Sequence, residues 1–555
     1  MGYDASGHGA SGHGASDHGA IVIGGGHNGL VAAGYLARAG LQPLVLEARG
    51  ATGGASSTET PFGPEFKITT LSYVVSLMPP TIIRDLDLER YGYKVHPMGP
   101  GYIPFPDGRS LTHYDDPVRT QGEIAKFSKK DAENFPKWEA YMEGIASVLG
   151  PLLMQSPPNV GSRRPRDLVE QVRLAWQLRG LDTRSVADVT RLFTMSITDL
   201  LDGWFESDQV KTDLAINGII GTWAGPEEPG TAYVMVHHSI GDVGDGHLGS
   251  WGFPEGGMGA IAAAIRASAE HLGATVRTDS PVERILVQNG RATGVVLKDG
   301  SEFRAPIVVA ATHPQITFLR QIDRQELPAD FVEDLERWRT RSGTVKVNLA
   351  LSELPDFIAD PGTNVQEHHG GSIELCPSVA YLEKAFIDAR EGKPAAKPFS
   401  DGCIPSVFDR TLCPQGTHVM SLFTQWVPET WSEEPHAEEL EAYADRIVDG
   451  YTEFAPNFKQ SIIHRQVIGP YEMEHEYGLL GGNIFHGELS PDQLFHMRPA
   501  PGYADYTTPI DGLYQCSSAT HAGGGVTGIP AYLCSKRILS DKKRQDLKAK
   551  WRVGR

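Results

Sequence analysis

The sequence predicts an α/β fold in which a discontinuous Rossmann-like domain is assembled from three separated segments and an α+β substrate domain fills the intervals. Three observations carry this expectation. Near the N-terminus an apolar run, a glycine-rich turn, an amphipathic stretch and a second apolar run ending in an acid follow one another. A helix followed by several short strands lies in the middle, and a strand entering another glycine-rich turn lies near the C-terminus. With 555 residues, 40% of them hydrophobic, the chain can bury a large core and is too long for one compact layer.

Ala20-Ile21-Val22-Ile23 reads as a buried parallel strand, and Gly24-Gly25-Gly26-His27-Asn28-Gly29 follows without a gap. Leu30, Ala33, Leu36 and Ala37 recur at helical spacing, and Gly40 stands where a glycine ends a helix. Leu44-Val45-Leu46 then ends in Glu47. In such a unit Gly24 permits the tight turn, Gly26 lets a pyrophosphate approach the backbone, and Gly29 allows close helix packing. The pyrophosphate sits at the helix N-terminus, beside His27 and Asn28, where N–H groups and the macrodipole favour negative charge. Glu47, 18 residues after Gly29, is placed to accept the adenosine-ribose hydroxyls. The same glycine pattern at Gly244 to Gly249 lacks a preceding strand and a following helix, so it reads as a loop and leaves no second nucleotide unit.

Beyond Glu47 the chain continues Ala48-Arg49-Gly50-Ala51-Thr52-Gly53-Gly54-Ala55. The run from Gly24 to Ala55 resembles the extended dinucleotide-binding motif of the amine oxidase and phytoene desaturase flavoproteins. That resemblance implies non-covalent FAD, with Gly53, Gly54 and Ala55 following the cofactor; Arg49 is either a cofactor contact or a solvated charge. A covalent link through His27 is disfavoured, since that position faces pyrophosphate and not the ring. A helix from Ala260 to His271, strands at Thr275 to Arg277, Val282 to Val287 and Ala292 to Leu297, a turn at Lys298 to Ser301 and the run Ile307 to Ala310 resemble the family's return to the FAD domain. There the resemblance implies a backbone contact from Val282 to adenine.

Pro509 to Cys516 reads as a strand entering Thr520-His521-Ala522-Gly523-Gly524-Gly525-Val526-Thr527-Gly528, with a helix to about Leu539. This turn offers N–H groups suited to the ribityl chain and flavin edge, with Thr520, Gly524, Gly525, Val526 and Thr527 as contacts. It resembles the phytoene desaturase closing motif, except that Ala522 stands where proline is usual and Ser517-Ser518 replaces Gly-Asp or Gly-Ala. Segments from Ile219 to His238 and from Gly481 to Pro499 are similar to the branch of pyridine nucleotide-disulphide oxidoreductase domain-containing protein 2 and its bacterial homologues.

The expected FAD-binding domain is therefore 20–85, 250–318 and 501–541, and the substrate domain 86–249 and 319–500, with helices at Asp131 to Leu149, Asp167 to Leu178 and Ala437 to Phe454. Residues 1–19 carry a repeat with His8, His13 and His18 and read as a disordered tail, although Met1-Gly2 with Ser6 matches a myristoylation pattern and the histidines suit a weak metal site. Residues 542–555 form a basic tail, read either as a solvated end or as a weak peripheral membrane contact.

The expected function is FAD-dependent dehydrogenation or desaturation of a small apolar, polyene-like substrate by hydride transfer to the flavin, with oxygen or a quinone as acceptor. A flavin amine oxidase and a non-catalytic FAD-binding protein are the alternatives. His521 and His486 are the candidates for shaping the pocket or moving a proton, against a plain role in satisfying buried backbone groups. The apolar stretch Leu71 to Ile83 either packs in the core or lines a lipid entry. A net charge of −19 argues against a nucleic-acid partner, and five scattered cysteines without a CxxC argue against a dithiol relay and for a cytoplasmic location. The pairs His237-His238 and His368-His369, read as strand neighbours, point to opposite faces, so no metal is expected.

Overall fold

A computed structural model describes residues 18–241 and 249–553. The expectations placed on His8, His13, Met1, Gly2 and Ser6, and on the Gly244 pattern up to Leu248, lie outside those residues.

The chain opens with β1 (Ala20–Ile23), α1 (His27–Arg38) and β2 (Pro43–Leu46). It continues through β3 (Gly101–Pro104), β4 (Ser110–His113) and helices α2 (Lys129–Leu153), α3 (Pro165–Leu178), α4 (Thr183–Thr194) and α5 (Thr231–Ser239). Helix α6 (Met258–His271) leads into β5 (Thr275–Arg277), β6 (Val282–Gln288), β7 (Arg291–Leu297), β8 (Glu302–Arg304) and β9 (Val308–Ala310). Strands β10 (Thr344–Leu351), β11 (Ser372–Leu375), β12 (Phe399–Cys403) and β13 (His418–Gln425) precede α7 (Ala437–Phe454). Strand β14 (Ile462–Ile468), β15 (Leu513–Gln515) and α8 (Ile529–Val553) complete the order.

A five-stranded parallel sheet of order β15-β9-β1-β2-β5 gathers residues from the two ends and the middle of the chain. Its central strand is apolar at every position because both faces are covered. Ala20 and Val22 pack on one face with Leu30, Ile261, Ile265 and Ile538, while Ile21 and Ile23 pack on the other with Ile285, Phe318 and Phe331. This alternation follows from the two-residue period of a strand.

A seven-stranded mixed sheet of order β14-β10-β13-β12-β11-β3-β4 forms the second body. Among the described residues no helix is long and apolar enough to cross a membrane.

Two expectations are corrected. Helix α8 does not stop near Leu539 but runs to Val553, taking in most of the basic segment as helix. Between Pro530 and Gly554 nothing breaks a helix, and Lys542 pairs with Asp546 one turn on. The histidine pairs are not on strands: His237 and His238 end α5, and His368 and His369 lie in a short 3-10 turn, Glu367–Gly370. Within each pair the rings touch, edge-on for His237 and His238 and tilted for His368 and His369.

Candidate functional site

Strand β1 ends at Ile23 and α1 starts at His27, so three glycines make the whole turn. Gly24 has φ +96°, a conformation that excludes most side chains. A Cβ on Gly29 would stand 1.9 Å from the Gly24 carbonyl oxygen, so α1 meets the turn this closely only without a side chain there. Gly26 differs: its φ is −68°, and a Cβ would meet nothing nearer than the Gly53 carbonyl oxygen at 4.0 Å. The first helical hydrogen bond runs from the Leu30 N–H to the Gly26 carbonyl at 3.0 Å, and no side chain caps the helix. The preceding N–H groups of His27, Asn28 and Gly29 are thus left for an anion at the positive end of the helix.

The facing wall is the extension beyond β2. The Gly53 N–H donates to the Gly25 carbonyl at 2.9 Å, and a Cβ on Gly54 would approach the Gly26 Cα at 3.5 Å. Buried Glu47 accepts from the Gly25 N–H at 2.6 Å and the Arg49 N–H at 2.9 Å, which fixes its carboxylate at the end of β2 beside exposed Ala48. Arg49 is not a free surface charge: it donates to Glu59 at 2.6 Å and lies 4.4 Å over the Tyr477 ring. Val282 opens β6 two residues beyond the Ser280 N–H that donates to the Glu47 carbonyl, and its own carbonyl accepts from Gln321 at 2.9 Å. An open crevice, unspent N–H groups and a fixed carboxylate form a donor set that fits a dinucleotide. Buried His27 Nε2 and Asn28 Oδ1 have no partner among the described residues, which adds to that fit.

The crevice leads to a cavity of about 740 Å³ whose lining includes His27, Ala55, His486, Ser518, Gly525 and Val526. Residues nearly 500 positions apart meet here, and Asn28 Nδ2 donates to Ser518 Oγ at 3.1 Å. His486 has φ +58°; its carbonyl accepts from Trp338 at 3.2 Å and lies 3.0 Å from His313 Nε2. Burial holds the His486 imidazole neutral, well below its usual range, and its Nδ1 has no partner. His521 is buried but is not among the residues lining the cavity. Its Nε2 lies 3.3 Å from the Leu152 carbonyl, its own carbonyl accepts from Tyr506 at 2.7 Å, and burial lowers its pKa to about 4. Thr520 donates to the Ser517 carbonyl at 2.7 Å, Gly524 packs against Phe485, and Thr527 Oγ1 accepts the Ile529 N–H at the start of α8.

Beneath this turn lies Arg498, fully buried without a carboxylate partner. It donates to the carbonyls of Phe485 at 2.7 Å and Ser518 at 3.1 Å, and burial lowers its pKa to about 10. Nearby, Glu488 clamps the 481–499 segment by bonding Arg339 at 3.1 Å and Arg341 at 2.6 Å.

The seven-stranded sheet supplies the far wall. Its register places Lys346, Phe423, Asp401 and Glu374 directly opposite one another across β10, β13, β12 and β11. Directly paired residues share a face, and all four line the cavity. Ser372 Oγ donates to Asp401 at 2.7 Å and to Glu374 at 3.0 Å, and Tyr73 donates to the other Asp401 oxygen at 2.7 Å. Lys346 Nζ lies 4.1 Å over the Tyr73 ring and bonds Ser421. Burial lowers the Lys346 pKa to about 7, opposed by Cys403 and Asp401. Burial raises both acids, Glu374 well above the carboxylate range, and Glu374 Oε2 has no partner among the described residues.

Residues 81–373, more than half of the chain, match the family described as flavin containing amine oxidoreductase, and residues 22–83 match the NAD(P)-binding Rossmann-like domain. The chain belongs to the flavin containing amine oxidoreductase family. As a member of it, the protein is a flavin-containing oxidoreductase whose cofactor is FAD. It is 39% identical over 550 residues to pyridine nucleotide-disulfide oxidoreductase domain-containing protein 2 of Rattus norvegicus, covering 94% of each. It is 26% identical over 544 residues to a limonene dehydrogenase subunit of Castellaniella defragrans, again covering 94% of each. The solved structure of putrescine oxidase bound to putrescine shares the fold with a TM-score of 0.57 at 16% identity, covering 95% of this chain and 99% of that one.

For this amine oxidoreductase family member, sequence reading picked out the two glycine turns and His486 but passed over Tyr73, Lys346, Glu374, Asp401 and the role of Arg498. A lysine on the polar side of the alternating run Thr344-Val345-Lys346-Val347-Asn348-Leu349 was the available signal. The stretch Leu71 to Ile83 divides: Leu71, Tyr73, Val74 and Leu77 line the cavity, while Met78 and Ile82 pack in the core. Cys516 and Cys534 lie side by side although 18 residues apart, but both are fully buried, and burial raises the Cys534 thiol well above its usual range. Buried thiols of that kind are inert.

Proposed function

We propose that the protein is an FAD-dependent dehydrogenase acting on a small molecule with an apolar body and a basic nitrogen. The observation that carries this reading is the set of under-compensated carboxylates on the cavity wall. Glu374 and Asp401 share one serine donor, one Glu374 oxygen has no partner among the described residues, and burial raises the pKa of both and of cavity-lining Glu139. A cation placed beside them restores their ionised forms, so binding is selective for positive charge. Leu71, Met98, Phe135, Trp138 and Met142 give the apolar body its walls.

Held by the Gly24 turn, Glu47 and the turn at Gly525, FAD would supply a hydride acceptor for the donor C–H, with oxygen or a quinone as the final oxidant. The chain's own groups orient the substrate. Lys346, with a pKa of about 7, holds or releases a proton at Nζ, and Tyr73 keeps Asp401 in place. Wholly apolar polyenes or terpenes are the second reading, favoured by those walls and by the relative that carries the name limonene dehydrogenase.

Anaerobic mixing separates the two, because only a true donor bleaches the flavin band. Alkylamines are expected to reduce the flavin, and Glu374→Gln is expected to raise the amine KM at least about tenfold, or ~1.4 kcal/mol, with flavin content unchanged. Reduction by hydrocarbons and not by amines selects the second reading. A flavin that neither photoreduces nor reoxidises with oxygen or quinone removes the enzyme reading altogether.

A further inference from the structure

We propose that α3, together with the projecting end of α8, is a docking surface for an anionic lipid bilayer. Helix α3 is built the wrong way round for a soluble protein. Leu168, Val169, Val172 and Trp176 fall within an arc of about 100° at helical spacing, an apolar stripe that ordinarily faces a core. Here that stripe faces out: Val169 is 65% exposed, Val172 68% and Trp176 62%. The only buried residue of the helix is Asp167, which accepts from Ser162. Gln171 turns inward to donate to the carbonyls of Asn159 and Ser162. The stripe from Leu168 to Trp176 is open, while the face turned to the protein carries Asp167 and Gln171 beside half-buried Leu174 and Leu178.

The surroundings of the stripe specify the occupant. Arg163, Arg164, Arg173 and Arg179 lie along the helix and its flanks in a chain of net charge −19, and the Arg179 guanidinium sits 3.5 Å over the Trp176 ring. Arg166 pairs with Asp541 at 3.8 Å, which joins the start of α3 to α8 where α8 leaves the body. From Lys543 to Trp551 every residue of α8 is exposed, with Leu547 and Trp551 one turn apart among Lys543, Arg544, Lys548 and Lys550. Two adjacent helices thus carry exposed aromatic and aliphatic side chains interleaved with cations, the composition of helices that lie in a lipid interface. Neither helix can span a bilayer, so the contact is peripheral. A second copy packed two-fold on this face would set the same cations against one another, whereas an anionic headgroup layer complements them.

The test uses full-length, flavin-loaded protein and cosedimentation with vesicles made of equal parts phosphatidylcholine and phosphatidylglycerol. Wild type is expected to pellet with them at low salt, to pellet at least tenfold less with pure phosphatidylcholine, and to be released near 0.5 M salt, where screening falls to roughly 4 Å. The Val172→Asp/Trp176→Asp double variant and the Lys543→Glu/Lys548→Glu/Lys550→Glu triple variant are each expected to bind at least tenfold more weakly. These positions are exposed, so flavin absorbance and far-UV circular dichroism should match wild type. Wild type remaining in the supernatant overturns the proposal, as does undiminished binding by the double variant. A dimer in solution that Trp176→Asp dissociates assigns the face to a second copy instead and likewise overturns it.

Discussion

Lys346 shows how far a single residue departs from what its neighbours lead one to expect. It sits in the middle of a strand whose positions are all buried, and burial holds its pKa near 7, down from 10.5. Between those two values the unfolded chain keeps a proton that the native lysine has released. Native stability attributable to this residue therefore rises with pH across that window, by at most about 1.4 kcal/mol per unit, and the cost of the buried ammonium is fully present below pH 7. Thermal melts of wild type and Lys346→Met at pH 6 and pH 9 are expected to show a smaller pH 6 to pH 9 rise in the variant. Equal rises in both proteins show that Lys346 does not titrate in this range. Sequence reading missed this residue because strand patterning marks positions as apolar or polar and says nothing of which polar residues a register aligns. Lys346, Asp401 and Glu374 lie far apart in the chain and become one row only through the pairing of four strands.

The elements were unevenly legible for the same reason. The unit β1-α1-β2 is local, and its apolar runs, helical spacing and glycines all point to one structure, so it was readable from about thirty residues. The segment from Thr275 to Ala310 and α7 were equally clear, being periodic and bounded by turns. The seven-stranded sheet was not, because its strands' partners are remote in sequence, and the polar alternation of β10 from Thr344 to Leu349 does not reveal that both of its faces are buried. Helix α3 was legible as a helix from Asp167 to Leu178, but the sequence does not show that its stripe from Leu168 to Trp176 is turned outward. At the first turn, two glycines with the same sequence signature make opposite predictions. Gly29→Val drives a side chain into the Gly24 carbonyl, 1.9 Å from its Cβ, and is expected to cost about 3 kcal/mol or to prevent folding. Gly26→Val meets nothing within 4.0 Å at an ordinary φ, so the protein is expected to fold normally and purify without flavin absorbance. Full flavin content in Gly26→Val sinks the assignment of the crevice.

At the scale of the molecule, the polar groups around the crevice and the cavity come from four separate stretches, Gly24–Asn28, Glu47–Ala55, His486–Arg498 and Ser518–Val526. Several of their polar atoms, His27 Nε2, Asn28 Oδ1, His486 Nδ1 and Arg498 Nε, are buried without partners among the described residues. Each such atom costs free energy unless a ligand or water satisfies it. The cofactor is therefore expected to act as a structural element joining the parallel sheet to the cavity wall. Flavin-stripped protein should melt at a lower temperature than the loaded form. Returning FAD at a hundredfold excess over its dissociation constant should stabilise it by roughly 2.7 kcal/mol, seen as a rise of a few degrees. FMN, which lacks the adenosine half that Glu47 and the Gly24 turn are placed to hold, should give a much smaller rise at the same concentration. Gly26→Val should respond to neither. If stripped and loaded protein melt together, or if FMN stabilises as well as FAD, the four stretches cohere without the adenosine half, and the crevice at Gly26 has no part in holding the cofactor.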